Sequence, residues 1–600
     1  MKKRWIPSRL VVARTRPVVR PVVRPSRFRP LAIFSLLIVT LVRVWLLRVR
    51  RRNSPIEVAR LVRAMLEDLG GIWVKVGQLL GMRRDLFSAE FCDHLAVLQD
   101  HATGFDFEYV RSTIERDLGC EIPAVFSEFD ERPFAAASIG QIHRAVLRKN
   151  RCAVAVKIRR PNIDRVMRGD IAFVRMIANF CRRMHIMSTF RWDDFYYEVE
   201  KTLVEELDYR FEATYIRQMR RNLKAHGIYV PRVFRRASSE RVLVMEFVTG
   251  ALMSDVLRLR GQEPAHLQQW LAQNDIDEVK VGRRLFLSLS RQIFEDNLFH
   301  GDLHPGNIVL LRGSRIALID FGSVGYLERD FHTKYNQLQH AMAMGQFAKA
   351  ADILLLLAPE LPPIDLEPCK RDLVRFMRTW SLSAQTKGMD FSQKSVGYSY
   401  AEMGKIFVRY RIPATWTFMR INRAQFTLDT SLRELYPEMD YFRMLSVYNR
   451  QAQRRRIRQT LRIHEAAGEM IDAMGRGASL LNDAAEQSIF ELEWMRKRAR
   501  NIQTGHSKAA HLGIALANAA LFLVLIAIGF FTCLYAYQTA GDELTLFSPE
   551  LRRYLGLVPT VPREAWYLLG MIGVFGILQY LRISRRFRQP DIDTPSSMRR

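Results

Sequence analysis

The stretch Phe299–Gly322, FHGDLHPGNIVLLRGSRIALIDFG, indicates the fold of this chain more strongly than any other part of it. Asp302 and Asn307 lie five residues apart, separated by a turn that contains proline and glycine. Asp320 follows a short apolar run that has the character of a buried strand. Carboxylate and amide oxygens are hard ligands, which suit the divalent cations that neutralise a nucleotide triphosphate. We therefore expect the three side chains to converge on one phosphate-handling site.

The spacing of these motifs is typical of a kinase active site. We expect Asp302 to face the phosphoryl acceptor, and Asn307 and Asp320 each to bind Mg²⁺. Two ordinary turns after buried strands could carry the same letters, but the two motifs together at this spacing favour the active site. A metal site built from His300, Asp302 and His304 is a weaker alternative, because kinase-like loops often carry a structural histidine before the aspartate.

Two predicted strands lie upstream, around a turn of small residues. The stretch PFAAASIGQIHRA contains the first strand and the small residues, and VAVKI, which carries Lys157, is the second strand. Strands around a small-residue turn, with a lysine in the second, are typical of a loop that covers the nucleotide and of its phosphate-contacting lysine. Alanine disfavours the positive φ angles that glycine allows, so this loop should be stiffer than a glycine-rich one. Its predicted members are Ala135, Ala136, Ala137 and Ser138. An exposed strand lysine remains the alternative for Lys157.

The stretch Trp192–Ala213 predicts one long acidic helix. Glu212 is the candidate carboxylate to pair with Lys157 and hold it on the phosphates, although a solvated acidic face would look the same. The run VLVMEFVTG that follows predicts the last strand of the small lobe and the hinge. We expect the backbone from Glu246 to Val248 to face adenine.

The charge is strongly basic and unevenly distributed. The chain has 91 Lys and Arg against 62 Asp and Glu, a net charge of +29, and its first 54 residues carry 15 basic and no acidic side chains. Such a chain could bind nucleic acid or an anionic membrane. No nucleic-acid module is evident and the basic runs flank apolar stretches, so the membrane is favoured. The six cysteines have no paired spacing, which fits a reducing compartment.

Three apolar segments bear on the membrane. Residues 31–47 are short for a span and contain Arg43, so they predict a helix on the membrane surface, with a span as the alternative. Leu512–Tyr537 has 26 uncharged residues and predicts a transmembrane helix; Trp566–Leu581 is short, but its spaced glycines allow pairing with the first helix. Basic flanks on both sides place the kinase-like domain in the cytoplasm.

At this point the chain resembles the UbiB family of atypical protein-kinase-like proteins, over about residues 55–448. The resemblance rests on KVGQ with RRD following (Lys75 to Asp85), the alanine-rich AAASIGQIH, VAVK, ELDYRFEA, HGDLHPGN and DFG. The resemblance implies that Lys75 and Gln78 lie on an added N-terminal helix over the site where a peptide would dock. It implies that Glu206 and Asp208 face Lys75, and that Glu212 pairs with Lys157. The chain departs from the family pattern at Gly81 and Ser88.

The resemblance also implies a function. The family is regarded as an ATPase or small-molecule kinase, tied to ubiquinone biosynthesis, that helps to extract or present lipid quinone precursors. ATP or ADP with Mg²⁺ is the expected cofactor, and the expected partners are the lipid membrane, a quinone precursor and proteins of ubiquinone biosynthesis, with no nucleic acid. The bacterial inner membrane is the expected location, and the mitochondrial inner membrane is the alternative.

The predicted fold is α+β: a bilobal protein-kinase-like domain with an N-terminal helical extension and a C-terminal transmembrane helical hairpin. The predicted divisions are a stiff basic arm with its apolar segment (1–54), the extension (55–130), the small lobe (131–250), the large lobe (251–450), a charged helical stalk (451–508) and the hairpin with a basic tail (509–600).

Three other functions stay open at this point. A true protein kinase is disfavoured, because Lys75 and its acidic partners would fill the substrate groove. A nucleotide-switched lipid-binding scaffold is disfavoured by the intact metal-binding positions. An antibiotic or sugar phosphotransferase shares the loop of Asp302, but neither the KVGQ helix nor a membrane hairpin fits it.

Overall fold

The computed structural model describes residues 3–464, apart from residues 9, 11–16, 21–28, 50–53, 84–85, 97, 99–103, 137–138, 185–189, 363 and 387. The predicted hairpin, its basic tail and residues 465–508 of the predicted stalk lie outside the described residues. Ala137 and Ser138 of the predicted phosphate loop also lie outside them. The structure therefore does not test the predicted hairpin, its basic tail, this part of the stalk or these two loop residues.

The described residues form an α+β structure. The strands are β1 (Val19–Arg20), β2 (Gly104–Phe105), β3 (Phe126–Phe129), β4 (Ala135–Ala136), β5 (Gly140–Leu147), β6 (Ala153–Arg159), β7 (Ile228–Tyr229), β8 (Val242–Glu246), β9 (Ala251–Leu252), β10 (Phe299–His300), β11 (Ile308–Leu311), β12 (Arg315–Leu318) and β13 (Val324–Gly325). The helices are α1 (Arg29–Val49), α2 (Pro55–Leu69), α3 (Ile72–Gly81), α4 (Ala89–Ala96), α5 (Phe107–Leu118), α6 (Ile122–Val125), α7 (Ile163–Arg183), α8 (Trp192–Leu207), α9 (Tyr209–Lys224), α10 (Met253–Gln262), α11 (Pro264–Gln273), α12 (Glu278–Phe294), α13 (Arg329–Ala343), α14 (Phe347–Leu356), α15 (Glu367–Gln385), α16 (Phe391–Lys394), α17 (Val396–Arg409), α18 (Trp416–Leu435) and α19 (Tyr441–His464).

The chain divides into two compact units. The first comprises Met1–Arg24, Pro55–Arg168 and Glu198–Arg498. The second comprises Pro25–Ser54, Gly169–Tyr197 and Ala499–Arg600.

In the second unit, α1 is an apolar helix of 21 residues that is long and apolar enough to cross a membrane. Its length matches the roughly 20 residues that a span needs, and it extends past both ends of the predicted segment 31–47. At its start, the Arg29 guanidinium donates to both carboxylate oxygens of Asp170, at 2.8 and 2.7 Å. Asp170 is buried, so this two-bond pair ties the beginning of α1 to α7.

In the first unit, the small lobe is built on an antiparallel sheet in the order β3-β5-β6-β8, with β4 paired to β5. Alternation along β6 sends Val154, Val156 and Ile158 into a core shared with α5 and β8. Lys157 therefore lies on the opposite face of the sheet. The predicted strand VAVKI and the predicted strand before the hinge are both confirmed as β6 and β8.

The predicted single helix Trp192–Ala213 is wrong in one respect, because the structure divides it into α8 and α9. The break falls at Asp208, which has extended backbone and whose side chain accepts a hydrogen bond from the N–H of Arg210. Aspartate is a preferred N-cap residue, since its carboxylate satisfies a backbone N–H that has no partner within the helix. The break starts a new helix with Glu212 in its first turn.

The large lobe is mainly helical. A small sheet in the order β7-β12-β11-β9 carries the loop before β11 and the segment after β12. Strands β11 and β12 pair in antiparallel register from Ile308–Leu318 to Leu311–Arg315. This hairpin brings Asn307 and Asp320, which flank it in sequence, to the same end of the sheet.

The N-terminal arm, whose composition predicts a stiff basic segment and not a packed element, is packed against the large lobe at residues 3–8. The Trp5 carbonyl accepts the N–H of Arg312 at 3.0 Å, and the Trp5 ring meets Tyr229 edge-on. Ser8 is held by Asn274, which accepts from its N–H at 2.7 Å and donates to its hydroxyl at 2.8 Å. The aromatic ring and these polar contacts give this part of the arm a site on the large lobe that its Arg, Val and Pro content does not indicate.

Candidate functional site

Lys157 and Glu212 form a buried ion pair, as predicted. The Lys157 Nζ lies 3.0 and 2.9 Å from the two carboxylate oxygens of Glu212. The side chains are 13% and 5% exposed, respectively. Burial by itself lowers the pKa of Lys157, but the charges of Asp320 and Glu212 outweigh that effect and raise it above its usual value. Lys157 is therefore a fixed cation.

Asp320 lies next to this pair. One carboxylate oxygen accepts the N–H of Gly322 at 2.9 Å, and the other lies 4.0 Å from Lys157 Nζ. The charge of Lys157 is the largest cause that holds the pKa of Asp320 down, at about 2. The side chain is 47% exposed, so it is an ionised carboxylate that a ligand can reach.

Asp302 and Asn307 share one loop. The Asn307 side-chain amide donates to the Asp302 carbonyl at 3.1 Å, which closes the loop across Pro305. The carboxylate of Asp302 accepts from the Arg423 guanidinium at 3.1 Å. Arg423 lies on α18, far from the loop in sequence, and the motif analysis did not find it.

His300 links this loop to Asp320. The N–H of Asp302 donates to His300 Nδ1 at 3.2 Å, so Nδ1 is the acceptor and the ring proton sits on Nε2. Nε2 then donates to the carbonyl of Asp320 at 2.5 Å. Burial lowers the pKa of His300, which keeps this neutral form. His304 accepts the N–H of Gly306, and no metal-holding group of three His, Cys, Asp or Glu occurs among the described residues. The alternative metal site is therefore not supported.

The KVGQ helix is α3, and Lys75 meets Glu206 as the resemblance implies, with 2.8 Å between Nζ and the carboxylate. Gln78 donates to the Leu98 carbonyl at 3.1 Å. Gly77 is needed for close packing, because a Cβ there would lie 2.3 Å from a methyl of Leu98. Asp208 does not face Lys75: it caps α9, and its carboxylate also takes the Arg210 guanidinium at 2.7 Å.

The other predicted nucleotide contacts are placed as follows. Ala135 and Ala136 form β4 against β5, at the edge of the small-lobe sheet. Glu246 ends β8, but its N–H donates to the Arg232 carbonyl and its carboxylate accepts from the Tyr229 hydroxyl at 2.6 Å. The N–H of Glu246 is therefore already bonded within the protein, and a contact of its carbonyl with adenine remains a prediction. Val248 packs beside Val309 and Ala317, so its backbone contact with adenine remains a prediction.

The residues present fit MgATP. Asn307 and Asp320 supply one amide and one carboxylate, a small set that suits Mg²⁺, since this ion is usually bound through one or two carboxylates together with substrate phosphates and waters. In the described structure the Tyr209 hydroxyl is buried without a hydrogen-bond partner, and the Tyr209 ring lies 5.4 Å from Lys157 Nζ. A Cβ at Gly140 would come 2.4 Å from that hydroxyl, so the backbone and the Tyr209 ring approach each other closely beside Lys157.

Comparison with known proteins matches residues 97–354 to the ABC1 atypical kinase-like domain. A probable protein kinase UbiB of Blochmanniella pennsylvanica is 35% identical over 291 residues, which are 48% of this chain and 51% of that protein. An uncharacterized protein of Synechocystis is 29% identical over 474 residues, 76% of each chain. The chloroplastic activity of bc1 complex kinase 7 of Arabidopsis thaliana is 29% identical over 402 residues, 66% of this chain and 55% of that protein. The chain spans about half the length of the UbiB relatives it matches. The family match supports a kinase-like α+β fold for residues 97–354.

Proposed function

We propose that this chain, which matches the ABC1 atypical kinase-like domain and resembles the UbiB family of atypical protein-kinase-like proteins, is a membrane-anchored ATPase or small-molecule kinase that supports ubiquinone biosynthesis. The observation that carries the proposal is the buried pair of Lys157 and Glu212 with ionised Asp320 at 4.0 Å from the same ammonium. This arrangement places a fixed cation beside an accessible carboxylate, which is what binding of a metal-nucleotide complex requires.

Each residue of the site has a definite role in this proposal. Glu212 fixes Lys157, which holds phosphate oxygens in place, and Asn307 and Asp320 hold Mg²⁺. When bound, Mg²⁺ neutralises charge that develops on the phosphate oxygens. Asp302 orients the acceptor, whether water or a hydroxyl, and Arg423 fixes the direction of its carboxylate.

The extension favours a small acceptor over a protein. Lys75 pairs with Glu206 at 2.8 Å, and α3 is largely buried, so this helix is an integral part of the first unit. A protein kinase must leave its peptide groove open, and by the family resemblance α3 lies over that groove. The acceptor proposed here is a lipid quinone precursor or water.

The proposed location is the bacterial inner membrane with the kinase-like domain in the cytoplasm, and the mitochondrial inner membrane is the alternative. Support comes from the apolar helix α1 and from the basic flanks of the apolar C-terminal segments. The proposed partners are the lipid membrane and proteins of ubiquinone biosynthesis.

Phosphate release by the purified full-length protein tests the proposal. The assay uses MgATP with and without anionic liposomes and a phenolic mimic of a quinone precursor, with Lys157→Ala and Asp320→Asn as controls. Release that rises with lipid and phenol and is lost in both variants is expected. Release that persists in both variants would show that another site, or a contaminant, carries the activity.

A second candidate is a scaffold in which nucleotide only switches the conformation. The pairing of Asp302 with Arg423 favours it, since a carboxylate held by a guanidinium is less free to meet an acceptor. Complementation of a quinone-deficient strain separates the two functions. Asp302→Asn should fail to complement if turnover is needed and should succeed if only nucleotide binding is needed.

A further inference from the structure

Five buried or half-buried polar residues form a continuous chain of contacts behind the candidate site. Asp296 lies 3.1 Å from His226 Nε2, and His226 Nδ1 lies 3.0 Å from the hydroxyl of Ser288. The Gln292 amide donates to that hydroxyl at 3.1 Å, and its carbonyl accepts the N–H of His300 at 2.9 Å. Gln292 is 1% exposed. The chain therefore ends at the histidine that bridges Asp302 and Asp320.

The direction of these hydrogen bonds follows from one fixed donor. A backbone N–H can only donate, so the atom of Gln292 that meets His300 must be the carbonyl oxygen, and the side-chain amide must point to Ser288. The Ser288 oxygen accepts from Gln292 and also meets His226 Nδ1 at 3.0 Å. His226 Nε2 lies 3.1 Å from the Asp296 carboxylate, but the two atoms are not aligned for a hydrogen bond.

The two ends of the chain belong to the two halves of the site. His226 follows α9 by two residues, and α9 carries Glu212, the partner of Lys157. His300 holds the N–H of Asp302 and the carbonyl of Asp320. The polar chain thus connects α9, which positions Lys157 through Glu212, to the loop that positions Asp302 and Asp320.

The order Asp296, His226, Ser288 has the composition of a hydrolase triad, but the surroundings exclude that chemistry. Ser288 is only 4% exposed. A nucleophile needs a path by which the substrate can approach it, and burial closes that path. The three side chains therefore have a positional role.

We propose that Gln292 is a positioning residue for phosphoryl transfer: it fixes the backbone at His300 and, through Ser288 and His226, keeps the end of α9 in register with the loop of Asp302. The effect on rate rests on the function proposed above. Gln292 does not touch the nucleotide side of the site, because its contacts are His300 and Ser288. Its loss should therefore lower the rate of turnover more than the affinity for nucleotide.

The test uses full-length protein and three variants. Gln292→Leu removes both hydrogen bonds and should lower kcat for phosphate release at least tenfold, with the Kd for MgATP changed less than twofold. Ser288→Ala keeps the bond to His300 but cuts the link to His226, and should lower kcat by a smaller factor. Ser290→Ala is the matched control, because Ser290 is buried on the same helix and donates only to the Phe286 carbonyl of that helix. It should leave kcat unchanged.

Gln292→Glu supplies a rescue that depends on pH. A protonated glutamate keeps one acceptor and one donor and so reproduces the two bonds of Gln292, whereas the ionised form loses the donor. Its kcat relative to wild type should therefore rise as the pH falls. A ratio that is flat with pH, or a Gln292→Leu variant whose kcat and Kd change by the same factor, would overturn the proposal.

Hydrogen exchange separates this inference from the proposed function. The amide of His300 should exchange slowly in the wild-type protein and at least tenfold faster in Gln292→Leu, measured on a peptide that begins several residues before His300. This result would support the anchor even if the wild-type protein released no phosphate. Equal exchange in the two proteins would refute the anchor whatever the activity.

Discussion

At the scale of single residues, the pair of Lys157 and Glu212 should matter for stability as well as for nucleotide binding. Lys157→Met leaves the Glu212 carboxylate buried without its cation, and removal of one partner of a buried pair costs about 3 kcal/mol. The double variant Lys157→Met with Glu212→Leu should recover more than half of that loss, since no uncompensated charge remains. Chemical denaturation of the three proteins measures both values.

The matched control for this pair is Lys405→Met, which breaks an ion pair to Glu402 on the exposed face of α17. Exposed pairs contribute little, because water and salt screen them. If Lys405→Met lowers the free energy of unfolding as much as Lys157→Met does, the burial of the Lys157 pair does not determine its contribution to stability.

Tyr209 is a second residue whose effect on stability can be measured, because burial of its hydroxyl lowers the free energy of unfolding. It is buried without a partner in the described structure, so Tyr209→Phe should raise the free energy of unfolding by up to about 1 kcal/mol without nucleotide. If bound phosphate satisfies this hydroxyl, MgATP should stabilise the variant less than it stabilises the wild-type protein. Thermal unfolding with and without MgATP measures both effects.

Tyr229→Phe is the control for Tyr209→Phe, because the Tyr229 hydroxyl donates to Glu246 at 2.6 Å. Its removal should lower stability by about 1 to 2 kcal/mol, the opposite sign. A destabilised Tyr209→Phe variant would show that the hydroxyl has a partner after all.

At the scale of elements, the break between α8 and α9 depends on Asp208. Asp208→Ala removes the side chain that accepts from the N–H of Arg210, and loss of an N-cap costs about 1 kcal/mol. Asp208→Asn keeps a good cap and should stay close to wild type, although it loses the charge. Equal effects of the two variants would favour a charge contact of Asp208 over its capping role.

This break also shows why the sequence predicts one helix where there are two. The residues on both sides of Asp208 have helical periodicity, and an aspartate inside an acidic run gives no separate signal of a cap. Strand β6 gives a clearer signal than this helix break. Because Val154, Val156 and Ile158 alternate along the strand and pack into one core, the sequence predicts that Lys157 lies on the other face of the sheet. Local patterns with a period therefore predict orientation well, while caps within charged runs are missed.

The junction of α17, α18 and α19 should respond to pH through Asp429. Its carboxylate is buried, accepts the N–H of Gly397 at 2.7 Å, and also takes the hydroxyl of Tyr441. Burial is the largest cause that raises the pKa of Asp429, to about 7. The folded state therefore binds the proton more tightly than the unfolded state does.

The sign of the change in stability with pH follows from this difference in proton affinity. The stability that protonated Asp429 contributes is complete below about pH 4 and is lost as the pH rises to about 7, with a ceiling of about 4 kcal/mol. Asp429→Asn has no proton to lose there, so the stability difference between wild type and variant should change over this range. Denaturation at pH 4, 5.5 and 7 measures it, and a constant difference would contradict the raised pKa.

At the scale of the whole first unit, some residues of the candidate site can be predicted from sequence motifs and others cannot. Asp302, Asn307 and Asp320 are predicted because a short motif holds them at fixed spacing. Arg423 and Gln292 are not, because they reach the same loop from α18 and α12, and a helix face chosen by tertiary packing leaves no spacing rule in sequence. One weak signal exists, since Arg423, Thr427 and Ser431 recur every four residues on α18.

Those three residues make α18 the element that joins the loop to the rest of the unit. Thr427 accepts the N–H of Leu303 at 3.0 Å, one residue after Asp302. One turn before Arg423, Arg420 pairs with Glu198 of α8. At the helix start, the guanidinium of Arg83, which follows the KVGQ helix, lies 5.0 Å from the centre of the Trp416 ring. The extension, α8 and the loop of Asp302 therefore all contact one helix.

Arg423→Gln tests whether this helix aligns the loop for turnover or restrains it. Arg423 pairs with Asp302, which is proposed to orient the acceptor and not to hold phosphate or Mg²⁺, so the Kd for MgATP should change less than twofold. If the guanidinium aligns Asp302, phosphate release should fall at least tenfold, because the carboxylate loses its fixed direction. Arg420→Gln is the control: it breaks the contact with α8, leaves Asp302 paired, and should lower the unfolding temperature with little loss of rate. A rise in release in Arg423→Gln would instead mean that the wild-type guanidinium restrains Asp302 and so limits turnover.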